Sequence, residues 1–253
     1  MQMTGIIING CGGRMGKALA SQSAEKGIKV LCGVDIFPAE ASFPVYTSLK
    51  DIETPAGVVI DFTTASALDQ VLEFGIKNNI PLVLATTGYT AEQREKILEA
   101  SKKIPIFNSG NMSVGVSVTA RAAAAVAAQM GEDFDIEIIE THHSAKLDAP
   151  SGTALMLADE ITNELGEREY VFERASRREK RPKKEIGIHS VRGGGVIGEH
   201  TVMIIGQHET ISVTHRAHDR GLFAYGAIRA AEFVSNKQNG FYTMKDLIIS
   251  EVK

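Results

Sequence analysis

Residues 4–16 read TGIIINGCGGRMG, and this stretch decides the fold. Ile6, Ile7 and Ile8 make a short β-branched run. Gly10, Gly12, Gly13 and Gly16 then crowd a turn that opens onto an amphipathic segment from Arg14 to Lys26. A strand that passes through glycines into a helix presents backbone N–H groups at the helix's positive end, where any Cβ would obstruct a pyrophosphate. The spacing is GxxGxxG, with Gly12 supplying the backbone freedom of a GxG pair. Asp35 follows nineteen residues after Gly16, at the end of the second expected strand, where such a fold offers an acid to the adenosine ribose. Gly10, Gly13, Arg14, Met15, Gly16 and Asp35 are therefore candidate contacts for a nicotinamide or flavin dinucleotide. Because a carboxylate repels a ribose phosphate and Ile36 and Phe37 bring no cation, the reading leans to NADH over NADPH, with Arg14 as the charge that could offset it.

The same alternation continues outward from the turn. Apolar runs at Gly5–Asn9, Lys29–Val34, Val58–Phe62, Leu82–Ala85 and Pro105–Asn108 read as strands buried on both faces. Helical periodicity fills the gaps at Arg14–Lys26, Ser66–Asn78 and Ala91–Lys103. The fold class is doubly wound α/β with a parallel sheet. Three further loops fall at carboxyl ends of these strands, the edge where open sheets bind ligands: Asp61 to Thr64, Thr86 to Gly88, and Ser109 to Ser113. Phe62, Thr86, Thr87, Gly88, Asn111 and Met112 are thus candidates for the nicotinamide half, although a helix N-cap explains any single hydroxyl or amide there equally well.

The character changes near Asn111. An alanine-rich helix is expected from Asn111 to Met130, and Phe134–Thr141 (FDIEIIET) alternates like a half-solvated strand. Alternating runs at Glu185–Arg192, Glu199–Ile205 and Thr210–His215 suggest a mixed or antiparallel sheet, with a helix over Thr153–Leu165 and another over Leu222–Ser235. The expected division is a dinucleotide domain over 1–112 and 222–253, with a second α+β domain over 113–221.

Composition excludes several classes. At 253 residues, with 43% hydrophobic and 23% charged residues and a net charge of −4, the chain is large enough for a real core and resembles neither a disordered nor a nucleic-acid-binding protein. The basic stretch ERASRREKRPKKE (173–185) reads as an exposed, mobile loop: glutamates are interspersed and no aromatic residue is interleaved for base stacking. Cys11 and Cys32 form no CxxC pair, which points to a reducing cytoplasm. The apolar stretch Val114–Met130 is interrupted by Arg121, so no membrane span is expected, and no export signal is read at the N-terminus.

The densest constellation is ETHHSAKLDAPSGTA, residues 140–154. His142 and His143, then Lys146, then a Pro150-Ser151-Gly152-Thr153 helix start bring a proton donor, a cation and backbone N–H groups together, which suits a small anionic substrate. An unpaired histidine changes charge near neutral pH and so serves as a general acid. Paired histidines near Asp148 also suit a metal, as in a zinc hydrolase. No metal ligand is assigned, because neighbours on an extended segment point apart, HxxxH spacing is absent, and Lys146 would set a charge beside the ion.

With GCGGRMG at Gly10, DFT at Asp61, ATTGY at Ala85, NMSVGV at Asn111, the block at Glu140, SVRGGGVIGEHTV at Ser190 and THRAHDR at Thr214, nearly the whole chain resembles the 4-hydroxy-tetrahydrodipicolinate reductase family. The resemblance implies a Rossmann-like dinucleotide-binding domain interrupted by a substrate and tetramerisation domain with a mixed sheet. It implies hydride transfer from NADH or NADPH to C4 of a cyclic imine dicarboxylate and protonation of the resulting enamine at C3. His142 matches the family's general acid and Lys146 its partner, while His143, Ser151, Gly152 and Thr153 match groups holding the substrate carboxylates. Gly13, Arg14, Met15, Asp35, Thr87 and Met112 match the cofactor lining. A cytoplasmic homotetramer of diaminopimelate and lysine biosynthesis follows, with no nucleic-acid or membrane partner. Two departures stand out: ATTG replaces GTTG, and Met112 stands where an aromatic is commoner. The rival readings are another nicotinamide dehydrogenase of amino-acid metabolism, which would share the glycine turn but not need the HHSAK block, and a noncatalytic NADH-sensing module.

Overall fold

The structure, a computed structural model, describes residues 3–53 and 55–250. Its elements begin with β1 (Ile6–Asn9), α1 (Arg14–Glu25), β2 (Val30–Val34), β3 (Val45–Tyr46), β4 (Val58–Asp61), α2 (Leu68–Asn78), β5 (Leu82–Leu84), α3 (Ala91–Ser101) and β6 (Pro105–Asn108). They continue with α4 (Val114–Met130), β7 (Asp135–His142), α5 (Gly152–Leu165), β8 (Glu169–Val171), β9 (Glu185–Arg192), β10 (Gly198–Ile205) and β11 (Thr210–Ala217), and end with α6 (Gly221–Val234), β12 (Gly240–Tyr242) and α7 (Met244–Ser250). Two compact units result, residues 1–114 with 220–253, and residues 115–219.

The first unit is built on a seven-stranded sheet in the order β3-β2-β1-β4-β5-β6-β12, with every pairing parallel. Strands β1, β4 and β5 are buried along their whole length because both faces are covered. Ile6 and Ile8 point into a core shared with Leu19 of α1 and Ala227, Ile228 and Ala231 of α6; Ile7 points the other way, toward Val71 of α2 and Ile97 of α3. The chain crosses from one side of β1 to the other after β3, so the ends of β1 and β4 flank the switch point where such sheets bind dinucleotides. This is the doubly wound architecture expected from the sequence.

The second unit carries a mixed sheet, β11-β10-β7-β9-β8. β10 runs antiparallel to β7 and β11, whereas β9 runs parallel to β7 and β8. Register explains its character. On one face Ile186, Ile136, Ile204 and Ile211 form one cross-strand row, and Ile188, Ile138, Val202 and Val213 form the next. These pack with alanines 120, 123, 124 and 127 of α4 and with Leu157 and Ile161 of α5. Further along, the same face turns polar: Ser190, Glu140, His200 and His215 share a row, and Arg192 pairs with His142 in the row beyond.

Several expectations are corrected. The helix expected from Asn111 starts at Val114, because the Asn111 side-chain oxygen accepts from the Ser113 N–H and holds a turn ahead of it. Ser66 and Ala67 belong to a short 3₁₀ turn before α2. The basic stretch is the exposed loop expected, but three of its arginines are held. Arg174 pairs with Glu185; Arg177 donates to Glu169 at 2.8 Å; Arg181 donates to Asp135, Glu137 and the carbonyls of Ile136 and Glu185 at 2.6–3.0 Å. Arg174, Arg177 and Arg181 thus clasp carboxylates at one end of the second sheet, while Arg178, Lys180, Lys183 and Lys184 stay exposed. Among the described residues no helix is long and apolar enough to cross a membrane.

Candidate active site

At the switch point the sequence turn becomes a cradle of main chain. Gly10 sits at φ +86°, and a Cβ on Gly16 would lie 2.3 Å from the Gly10 carbonyl oxygen and 2.5 Å from the Cys11 Cα, so only glycine lets α1 approach the turn this closely. Gly13 is the N-cap of α1 and supplies no side-chain cap, which leaves the N–H groups of the first turn open toward an anion. Asp35 is fixed at the end of β2: one carboxylate oxygen accepts from the Gly12 N–H at 2.9 Å, the other from the Phe37 N–H at 3.0 Å.

Two cavities open along this edge. One, of about 460 Å³, is lined by Gly10, Gly13, Asp35, Phe37 and Phe62 among others; the second, of about 280 Å³, by Arg14, Met15, Phe62, Ala85, Met112 and Phe223. Phe62 borders both. The remaining candidates separate. The Thr86 hydroxyl donates to buried Asp61, which also accepts from Asn9 and Thr63, so Thr86 ties β5 to β4 and β1. Burial pushes the Asp61 carboxyl up, and those three donors pull it back. Thr87 and Gly88 are exposed, Asn111 is half-buried, and Met112 is buried in the core. The fit to a dinucleotide rests on the Cβ-free cradle and the two cavities.

In the second unit the polar end of the sheet holds the histidine block. His142 is buried, and its Nδ1 lies 2.5 Å from Glu140. Glu140 is wholly buried and accepts from both terminal nitrogens of Arg192, at 2.8 and 2.7 Å, and from the Ser151 N–H at 3.1 Å. Burial would raise this carboxyl, but Arg192, Ser190, His142 and Ser151 outweigh it and hold it down to about 2. Burial pushes His142 below the ordinary imidazole value; Glu140 opposes that shift, and the Lys146 and Arg192 charges reinforce it. His200 packs edge-on to His142 with ring centres 5.1 Å apart, lies 3.1 Å from the Ser151 hydroxyl, and is pushed down to about 4, chiefly by burial.

Ser151 caps α5 by accepting from the Ala154 N–H, so Ser151, Gly152 and Thr153 stand at that helix's positive end. Lys146 is half-buried and pairs with Asp148 at 2.8 Å, and His143 is half-buried. Arg192 also donates to the Asp148 carbonyl, and the Gly193 and Gly194 main chain bonds His142 and Ser144, so β9 braces the loop that carries Lys146. Sequence reasoning singled out the block but assigned no role to Glu140, Arg192 or His200. The signal was the Gly198-Glu-His200 start of β10 and Arg192 ahead of three glycines, both visible only as motif letters. Among the described residues no three His, Cys, Asp or Glu side chains converge as a metal site.

A parallel sheet in this order, a Cβ-free turn at its switch point and an acid closing β2 define a nicotinamide-dinucleotide oxidoreductase fold. Residues 4–112 match the family described as "Dihydrodipicolinate reductase, N-terminus", and residues 115–248 match "Dihydrodipicolinate reductase, C-terminus". The chain belongs to the dihydrodipicolinate reductase family. It is 47% identical over 248 residues to the 4-hydroxy-tetrahydrodipicolinate reductase of Caldanaerobacter subterraneus subsp. tengcongensis, covering 97% of this chain and 98% of that one. It is 44% identical over 253 residues to the 4-hydroxy-tetrahydrodipicolinate reductase of Clostridium novyi, covering 98% and 100%. Among solved structures, a dipicolinate-bound dihydrodipicolinate reductase from Paenisporosarcina sp. TG-14 superposes with a TM-score of 0.81 at 24% identity, covering 96% of this chain and 98% of that one.

Proposed function

We propose that this chain reduces 4-hydroxy-tetrahydrodipicolinate to tetrahydrodipicolinate with NADH or NADPH, a step toward diaminopimelate and lysine. The observation that carries the reading is the polar end of the second sheet, where a buried histidine, a lysine and a helix N-terminus lie together in a chain matching both halves of the family. The unit containing residues 1–112 and 222–253 binds the dinucleotide. Gly10, Gly13, Arg14, Met15 and Gly16 receive the pyrophosphate, and Asp35 the ribose hydroxyls. Phe62, Thr86, Thr87, Gly88, Asn111 and Met112 serve the nicotinamide half. Bound NAD(P)H supplies the hydride.

Residues 113–221 bind the substrate. His143, Ser151, Gly152 and Thr153 hold its carboxylates, with the positive end of α5 supporting an anion there. His142 delivers the proton to C3, and Lys146 assists it and neutralises the dicarboxylate. Asp35, with uncharged Ile36 and Phe37 beside it, favours NADH. Exposed Ile139 and Val191 on the outer face of the second sheet support its burial in a homotetramer, and two free cysteines suit a reducing cytoplasm. Consumption of NADH and NADPH by the purified protein, with substrate generated in situ from pyruvate and aspartate semialdehyde by the partner synthase, tests the reading. Synthase-dependent turnover is the expected result. Dinucleotide binding without turnover overturns it in favour of a sensing module.

A further inference from the structure

The inner face of the second sheet poses a question of energetics. Down β7 the inward positions run Ile136, Ile138, Glu140, His142, so a wholly buried carboxylate follows two core isoleucines. A buried ion pair of this kind contributes little net stability, since desolvation consumes most of the Coulombic gain. Its geometry is nevertheless fully specified. One Glu140 oxygen takes an Arg192 terminal nitrogen at 2.8 Å and His142 Nδ1 at 2.5 Å; the other takes the second Arg192 terminal nitrogen at 2.7 Å and the Ser151 N–H at 3.1 Å. Four donors leave the carboxylate no freedom to turn, and it remains ionised at neutral pH. An ionised carboxylate accepts only, so the ring nitrogen facing it carries the hydrogen.

The opposite edge of the His142 ring is equally constrained. A Cβ at Gly198 of β10 would come within 3.1 Å of His142 Nε2, so the glycine makes room for that edge, while His200 packs against the ring. Among the described residues nothing hydrogen-bonds Nε2. We propose that Glu140, clamped by Arg192, is a positioning residue that holds the His142 ring with Nδ1–H on the carboxylate and reserves Nε2 for the transferred proton. This deepens the reductase reading and rests on it for the identity of the proton acceptor. In the step itself the Nε2–H bond of the imidazolium breaks and its electron pair stays on Nε2. The C2=C3 pair of the reduced enamine takes the proton at C3, and the ring-nitrogen pair restores C2=N. His142 ends neutral as the Nδ1–H tautomer, the form that Glu140 already holds.

Long-range ¹H–¹⁵N spectroscopy of the intact, histidine-labelled protein, with His142 assigned by its loss in His142→Gln, reads the tautomer directly. The parent protein should show neutral His142 protonated at Nδ1. A neutral Nε2–H form in the parent overturns the proposal, and this readout needs no Glu140 variant to fold. In Glu140→Gln the amide oxygen faces Arg192 and the NH₂ group turns to Nδ1, which forces the Nε2–H tautomer. The expected result is a loss of about 10²- to 10⁴-fold in kcat, with KM and NADH affinity changed less than about twofold. Glu140→Asp should keep Nδ1–H and recover part of kcat. A folded Glu140→Gln that retains parental kcat, or loses KM and kcat together with Nδ1–H unchanged, overturns it. A parent protein with the Nδ1–H form but no turnover would count against the reductase reading while supporting the anchoring.

Discussion

In the first unit the ligand-facing end of the sheet is made mostly of main chain, whereas in the second it is made of charged side chains. The glycine turn offers N–H groups and an empty space where Cβ atoms would lie, and Asp61 at the neighbouring end of β4 is directed inward to Asn9, Thr63 and Thr86. The second sheet places Glu140, His142, His200 and Arg192 on its inner face in register with core isoleucines and valines. Backbone N–H groups do not titrate, which suits holding a cofactor. A side-chain site can titrate, at the expense of buried charge, which suits proton transfer.

Substitutions should separate these two designs. The largest effect is expected from His142→Gln: kcat should fall by about 10²- to 10⁴-fold with NADH affinity unchanged by fluorescence titration, and unaltered kcat would remove His142 from the proton step. Gly16→Ala drives a Cβ into the Gly10 carbonyl and the Cys11 main chain. NADH affinity should therefore drop by about 5- to 150-fold, which is 1–3 kcal/mol of strain expressed as lost binding, while the His142 NMR signal stays as in the parent.

The histidine part of the pH response should come from the second design. His200, held at about 4 in the folded protein, lies below the ordinary imidazole value of 6.5. Its neutral form therefore stabilises the fold fully above pH 6.5, and this contribution is lost as pH falls toward 4, on the order of 3 kcal/mol. His142 and His215, also lowered, add with the same sign, and Asp61, raised by burial, opposes them. Thermal melts between pH 7.5 and 4 should slope downward, and less steeply in His200→Gln; identical slopes would refute the assignment. The smallest effect is expected at Asp35. Asp35→Ser should raise the NADPH-to-NADH ratio of kcat/KM by about tenfold, one lost charge repulsion of roughly 1.4 kcal/mol, and an unchanged ratio would show that Asp35 does not discriminate.

Legibility in the sequence follows the same divide. Runs such as IIIN and VVID are apolar throughout because both faces of the parallel sheet are covered, so period and length alone reveal them. β3, β8 and β12 span two or three residues each, too short for any period to register, and they went unread with α7. The alternation of β7 was visible, yet nothing local marks Glu140 as inward and ionised, because its partner Arg192 lies 52 residues away. Burial of a charge is a tertiary fact. The pairing of Arg181 in the basic stretch was hidden for the same reason, since the acids that hold it, Asp135 and Glu137, lie 46 and 44 residues earlier.

The parallel sheet also sets an order of events during synthesis. Its edge strand β12 and the helix α6, whose Ala227, Ile228, Ala231 and Val234 pack with Ile6, Ile8, Ile60 and Phe107, are made only after residues 115–219. Residues 115–219 are contiguous and can close their own core as they leave the ribosome. The earlier strands must wait through that interval with one apolar face uncovered. Chaperone capture and aggregation of nascent chains should therefore concentrate on fragments that end between β11 and α6, before α6 can cover the sheet.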